Sequence, residues 1–303
     1  MTADPITPGV PVTGDIELPG VHDAANIASG RGQKRYVRLS AVRLISLLVA
    51  AVAGAIGLGI GSFDLCGLVV LIAFALAALA EFALIYFQPE RDWYAGRAIA
   101  ESMKTLAWRF AVQGEPFGPG LNDSESEALL RTRVGEVLQR GEDRINVGPG
   151  DALVTESMVS LRGASLEVRR QAYLQYRTEN QREWYWTNAQ KNEARATMWR
   201  YALLVGEILA VVIAAVALGR DVAVDFAGIV AVAVASGAAW LAIKQHSQLT
   251  SAYRVAASEL ALQAAALKAV ASQDWPQAVA DAEEAISREH TMWLATRGQE
   301  PLR

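Results

Sequence analysis

One cysteine in 303 residues, three histidines and no surplus of basic charge remove several function classes at the outset. Cys66 has no partner for an intrachain disulfide or a metal cluster; it lies in an apolar run and reads as a small packing residue. His22, His246 and His290 have neither metal-ligand spacing nor a neighbouring cysteine, so no metal site and no cofactor are expected. The 28 lysines and arginines stand against 32 aspartates and glutamates, a formal net charge of −4, which gives no overall pull toward nucleic acid, and no direct nucleic-acid site is evident. A serine nucleophile elbow is missing, as is any intramembrane aspartate pair or serine–histidine arrangement. The chain is therefore expected not to be an enzyme.

Charge is nearly missing from two blocks, 41–87 and 201–243. Over 41–61 the only charge is Arg43 and over 65–87 the only charge is Glu81, so each stretch is long enough to cross about 30 Å of hydrocarbon. The connector Ser62-Phe63-Asp64 is so short that the two helices must be antiparallel neighbours. A second hairpin follows with spans at 201–218 and 226–243, nearer the minimum length, for which a buried soluble hairpin is the competing reading. Basic residues cluster outside the connectors: Lys34, Arg35 and Arg38 before the first span, Arg91 and Arg97 after the second, Arg195 and Arg200 before the third and Lys244 after the fourth. The connectors carry only Arg220, which assigns them to the outside and both termini to the cytoplasm. The first apolar run follows a forty-residue preamble and lacks a cleavage site, so it is expected to stay as an anchor rather than leave as a signal peptide.

The fold class is thus an all-α membrane protein, with two transmembrane hairpins continuing into long cytoplasmic helices. Residues 1–35, with four prolines and few large apolar side chains before residue 30, read as a flexible cytoplasmic tail. A first hairpin unit occupies 36–120, with a helix from Glu90 to about Val112 stopped by Gly114-Glu115-Pro116. A helical linker follows over 121–164, where Ser124 and Glu127 form a capping box for a helix to about Arg140. The second unit spans 165–303. Proline is absent from 165–218, which predicts one continuous helix of roughly 80 Å, and after the fourth span a helix to about Ser272 and a last one to about Ala295 are expected.

Glu81 and Glu207 are the candidate pore or gating residues. Each lies about 9 Å inside the cytoplasmic end of its span, where an ionised carboxylate must face protein or water. In an oligomer they would make a ring of negative charge favouring cations; the competing reading is a protonated or snorkelling glutamate that joins helices. Gly57 and Gly61, and Gly237 beside Ser236, have the small-residue character that lets helices pack closely. Arg91-Asp92-Trp93-Tyr94 is echoed by Arg182-Glu183-Trp184-Tyr185, and Trp93, Tyr94, Trp184, Tyr185 and His290 are assigned to cytoplasmic interfaces.

The run from Trp93 through Phe110, followed by Glu115-Pro116-Phe117, resembles one subtype of the SLATT family, the SMODS and SLOG-associating two-transmembrane effector domains. Tyr173-Leu174, Tyr176-Arg177, Gln181, Trp184-Tyr185 and Asn188-Ala189, with the ending from Glu283 to Trp293, resemble a second subtype, so that two subtypes stand in tandem. The resemblance implies a bacterial effector of the inner membrane, grouped with nucleotide-synthesising polymerases and nucleotide sensors, that permeabilises the membrane in anti-phage defence. The expected function is a homo-oligomeric pore or ion channel, a tetramer being no more than a guess, gated by a nucleotide or a nucleotide-synthesising partner protein. The alternative is a non-conducting membrane-anchored receptor or scaffold.

Overall fold

The computed structural model describes residues 15–56, 64–140, 152–218 and 224–295, with the backbone alone at 140 and 288–295. All regular structure among the described residues is helical: α1 (Gly20–Ile56), α2 (Leu65–Phe87), α3 (Pro89–Ala111), α4 (Asp123–Arg140), α5 (Glu156–Arg162), α6 (Leu166–Ala172), a π-helical turn (Tyr173–Glu179), α7 (Asn180–Ala217), α8 (Phe226–Lys244), α9 (His246–Ala269) and α10 (Trp275–Ala295). Among the described residues four helical stretches are long and apolar enough to cross a membrane: Gly20–Ile56, Leu65–Ala111, Leu166–Ala217 and Phe226–Ala269.

Two of those stretches are interrupted. Pro89 disfavours the α region for the residue before it, and Gln88 accordingly turns left-handed (φ 45°, ψ 50°) while its N–H still reaches the Leu84 carbonyl at 3.1 Å. Gln245 does the same between α8 and α9 (φ 51°, ψ 34°) with its N–H on Leu241 O, here without a following proline. At their starts α2 and α8 also match: Asp64 accepts from Gly67 N and Asp225 from Gly228 N, each at 2.8 Å. The structural repeat in this chain is therefore an aspartate cap with glycine three residues on and a left-handed glutamine at the end. The expected continuous helix over 165–218 is present as Leu166–Ala217, with the π-helical turn inside it.

Other expectations are corrected. The tail assigned to 1–35 is helical from Gly20, because Ile16, Val21 and Ala25 are buried and the backbone of Glu17 is pinned from both sides, its N–H donating to Ser157 Oγ and its carbonyl accepting from Thr155 Oγ1, each at 2.8 Å. The box that starts α4 is Asn122 with Glu125, not Ser124 with Glu127: Glu125 N donates to Asn122 Oδ1 and Asn122 N to Glu125 Oε2, both at 2.9 Å. The stop of α3 falls where it was expected, in a Schellman turn with Gln113 left-handed (φ 56°), Gly114 N bonding Arg109 O and Gln113 N bonding Phe110 O.

The chain divides into two compact units. A helical unit takes the residues up to Gly30, Asp92–Thr187 and the residues from Ala252; a hairpin unit takes Arg31–Arg91 and Asn188–Ser251. Within the helical unit α3 is central: Ile99, Met103, Ala107, Trp108, Phe110 and Ala111 are all buried. Trp108 and Trp275 each pack edge-on against Tyr173, with ring centroids 5.8 and 6.0 Å apart. Arginines cap the helix ends of this core. Arg162 donates to the carbonyls of Phe110 and Phe117, Arg169 to that of Val112, and Arg170 to those of Lys268 and Val270. In the hairpin unit most large side chains of the four apolar segments face outward, as expected of surfaces meant for lipid or another protein.

Candidate functional site

An ion pair joins the two helices of the first hairpin. Arg43 of α1 donates through Nη1 to Glu81 Oε2 of α2. Gly54 lies against Val70 in the same register, 3.8 Å from a Cβ built on the glycine to Val70 Cγ2. Arg35 lies over the Phe87 ring at 4.1 Å nearer the end of the hairpin. Glu81 is thus not an isolated charge: its carboxylate is paired with Arg43 of the same chain.

The second hairpin is built differently. Gly206 and Gly237 let α7 and α8 approach, since a Cβ on Gly206 would fall 2.7 Å from Val234 Cγ2 and one on Gly237 3.0 Å from Leu203 Cδ2. That register puts Ala233 of α8 level with Glu207. The Glu207 carboxylate is exposed and has no hydrogen-bond or ion-pair partner among the described residues. At the end of this hairpin His246 Nδ1 donates to Asn192 Oδ1 at 2.7 Å and Arg200 Nη2 to Ser247 Oγ at 2.9 Å. Burial, then the nearby Arg195 and Lys244, push the His246 imidazole below its ordinary value.

Gly57 and Gly61 lie outside the described residues, as does the side chain of His290. Gly206 was the packing glycine that sequence reasoning passed over. The two aromatic echoes are not equivalent. Tyr94 is buried and stacks on Trp93 (4.9 Å), whereas Trp184 remains 43% exposed and packs with Tyr185 and Tyr253.

The buried charge of the helical unit was missed altogether. Glu283 of α10, wholly buried, accepts from Arg177 Nε (2.8 Å) and Nη2 (2.6 Å), Tyr173 OH (2.9 Å) and Thr105 Oγ1 (2.9 Å). Burial works against the Arg177 charge, but the Glu283 carboxylate more than offsets it and holds the guanidinium above its ordinary value. Burial, then Glu283, drives the Tyr173 phenol well above its ordinary value, keeping it a donor. Beside them burial, then Arg177, lowers the Lys104 ammonium, and burial raises the Asp15 carboxyl. No local sequence signal pairs Arg177 with Glu283. The π-helical turn, which carries Tyr173 and Arg177 on one side, is what aims both at α10.

A cleft of about 520 Å³ between α3, α4 and α10 is lined by Arg109 and Arg133 and by the carboxylates of Glu115, Glu136, Asp281 and Glu284. Carboxylates outnumber guanidiniums there, an environment that repels a polyphosphate. Among the described residues no group of three His, Cys, Asp or Glu side chains is arranged to hold a metal ion.

Residues 19–170 match the family model described as SMODS and SLOG-associating 2TM effector domain 3, and residues 173–293 match that of SMODS and SLOG-associating 2TM effector domain 1. The first match takes in the segment 121–164 that had been expected to be a linker. No curated relative and no solved structure matches the chain.

Proposed function

Because the chain belongs to the SLATT family, with two of its effector domains in tandem, we propose that it is a homo-oligomeric membrane pore that a cytoplasmic signal opens, without enzymatic activity of its own. The observation that carries this reading is Glu207. A charge at the centre of a span costs about 2.5–3.5 kcal/mol on insertion scales and is retained where it meets protein or water. Glu207 has no partner among the described residues of its own protomer, so a second subunit or a water-filled path is its natural counterpart. The basic flanks of the four candidate spans favour both termini on the cytoplasmic side of a bacterial inner membrane. The association of the family with SMODS and SLOG proteins favours a nucleotide or a nucleotide-synthesising partner as trigger, acting in anti-phage defence. The acidic cleft is a poor seat for a polyphosphate, which favours a partner protein, or a nucleotide held elsewhere.

The test is reconstitution of the full chain into liposomes and planar bilayers, with and without candidate nucleotides. Ion flux is expected, and a purified oligomer that never conducts under any of these conditions overturns the reading. One observation favours the alternative of a non-conducting anchor or scaffold. The Arg43–Glu81 pair removes one of the few charges the spans offer to a polar path.

A further inference from the structure

The end of the second hairpin away from its connector gathers positive charge without a counter-charge. Gly237 of α8 lies against α7, where a Cβ built on it would meet Leu203 Cδ2 at 3.0 Å and Trp199 Cζ3 at 3.6 Å. Trp240 and Lys244 follow three and seven residues on along that face of α8, and Arg195 stands four residues back from Trp199 along α7. Lys244, half-buried, and Arg195, exposed, therefore meet across the hairpin. The Lys244 Nζ lies 4.8 Å from the centre of the Trp240 ring. Burial, then Arg195, lowers its ammonium, so the two cations work against each other. Arg200, nearer the span, turns back to the same end, its Nη2 donating to Ser247 Oγ in the first turn of α9 at 2.9 Å. Among the described residues neither Arg195 nor Lys244 is in an ion pair. α8 and α9 carry no carboxylate before Glu259, and Glu193, two positions from Arg195, falls on the other side of α7.

We infer that Arg195, Lys244 and Arg200 seat the phosphate of an anionic phospholipid. Like charges held together by the fold cost free energy that a bound anion offsets. The guanidiniums offer paired N–H donors to phosphate oxygens and the lysine a point charge. The setting selects a lipid as the source of that phosphate. Apolar surface begins directly beside the cations: Met198, one turn from Arg195, is 58% exposed, and Tyr201, next to Arg200, is 66% exposed. A headgroup held by the cations lays its acyl chains along this surface, whereas a soluble phosphate has nothing to place there. Trp240 adds an aromatic ring of the kind that sits at headgroup level. Other basic residues flanking the spans are matched within the chain, Arg43 by Glu81 and Arg97 by Glu101.

The inference needs the spans in a bilayer but neither conduction nor a second subunit, so it stands or falls apart from the pore. In its test the full chain, purified in a neutral detergent, is titrated with phosphatidylglycerol, phosphatidylcholine or inorganic pyrophosphate, and bound molecules are counted by native mass spectrometry. Phosphatidylglycerol is expected to bind well ahead of phosphatidylcholine. Each basic residue near an anionic headgroup is worth about a factor of five in affinity. Arg195→Gln should therefore weaken phosphatidylglycerol about five-fold, and Arg195→Gln with Lys244→Gln about twenty-five-fold, with phosphatidylcholine unaffected. Arg31→Gln with Lys34→Gln, two exposed cations ahead of the first span, should leave the affinity nearly unchanged. Equal affinity for the two lipids overturns the inference. An equal loss in the Arg31 and Lys34 variant also overturns it, because the attraction is then diffuse. Pyrophosphate that binds as tightly as phosphatidylglycerol and displaces it overturns the lipid as occupant. Should the double variant fail to fold, Arg195→Gln alone decides, since that side chain is exposed and outside any ion pair among the described residues; an unchanged affinity there overturns the site.

Discussion

Arg177 and Glu283 form a two-pronged ion pair in which neither side chain is exposed to solvent. Tyr173 and Thr105 complete the carboxylate's hydrogen bonds, while Nη1 of Arg177 lacks a partner among the described residues. The pair binds the π-helical turn to α10 at the centre of the helical unit. Removing one partner strands the other's charge, a loss of about 3–5 kcal/mol, whereas replacing both with apolar groups of similar volume is often close to neutral. Arg177→Met and Glu283→Leu are each expected to lower the Tm of the purified chain sharply, and the double variant to recover most of the loss. Additive losses in the double-mutant cycle would mean the two residues act independently.

Two glycines in the same unit should respond oppositely to alanine. A Cβ on Gly96 would lie 2.7 Å from Ser29 N and 2.8 Å from Ala25 O, both backbone atoms of α1 that cannot swing aside. Gly96→Ala must spread α1 from α3 and is expected to cost about 1–3 kcal/mol, the usual penalty of overpacking. Gly135 in α4 has nothing within 4 Å of the same point, so Gly135→Ala should gain about 0.5–1 kcal/mol through helix propensity. Thermal melts of the two variants, run side by side, check both signs.

Lys104 makes a pH prediction. Its ammonium is lowered from 10.5 by burial and by Arg177, and it donates to Gln181 Oε1 at 3.3 Å. Below the folded-state value both folded and unfolded chains carry the charge and the penalty is fully present. As pH rises through that value toward 10.5 the folded chain releases its proton first, and the penalty is lifted. Stability of the native chain is therefore expected to climb over this alkaline window relative to Lys104→Met. The variant should melt higher at neutral pH, and the two curves should converge as the window is crossed. Parallel curves would mean that Lys104 is solvated.

Much of the architecture was legible because its signals are local. Hydrocarbon-length apolar runs, the proline-free stretch ending at Leu218 and the turn at Gly114 are each carried by contiguous residues, and the helices follow them closely. What escaped depends on partners far along the chain. The ordering of Ile16 to Pro19 rests on Thr155 and Ser157, and the burial of Arg177 on Glu283. The Arg43–Glu81 pair is an intermediate case. The two residues lie within two positions of the same distance from the first connector, so an antiparallel hairpin sets them near the same level. Reading Arg43 only as a flank obscured this, although Glu81 was also read as a glutamate that joins helices.

The contrast between the two glutamates gives the sharpest test of the pore. If the chain conducts, a carboxylate affects permeation only when its charge is not already balanced beside it. Glu81 is balanced by Arg43, whereas Glu207 is exposed with no ion-pair partner among the described residues. In planar bilayers with a salt gradient Glu207→Gln should therefore move the reversal potential toward zero, indicating lost cation preference, while Glu81→Gln should leave it nearly in place. Arg43→Gln uncovers the Glu81 carboxylate and should move the potential the other way, toward stronger cation preference. Adding Glu81→Gln to Arg43→Gln should cancel that shift. An equal response to Glu81→Gln and Glu207→Gln would show that the ion pair opens in the conducting state, and no response to any of the four would place the conduction path away from both carboxylates.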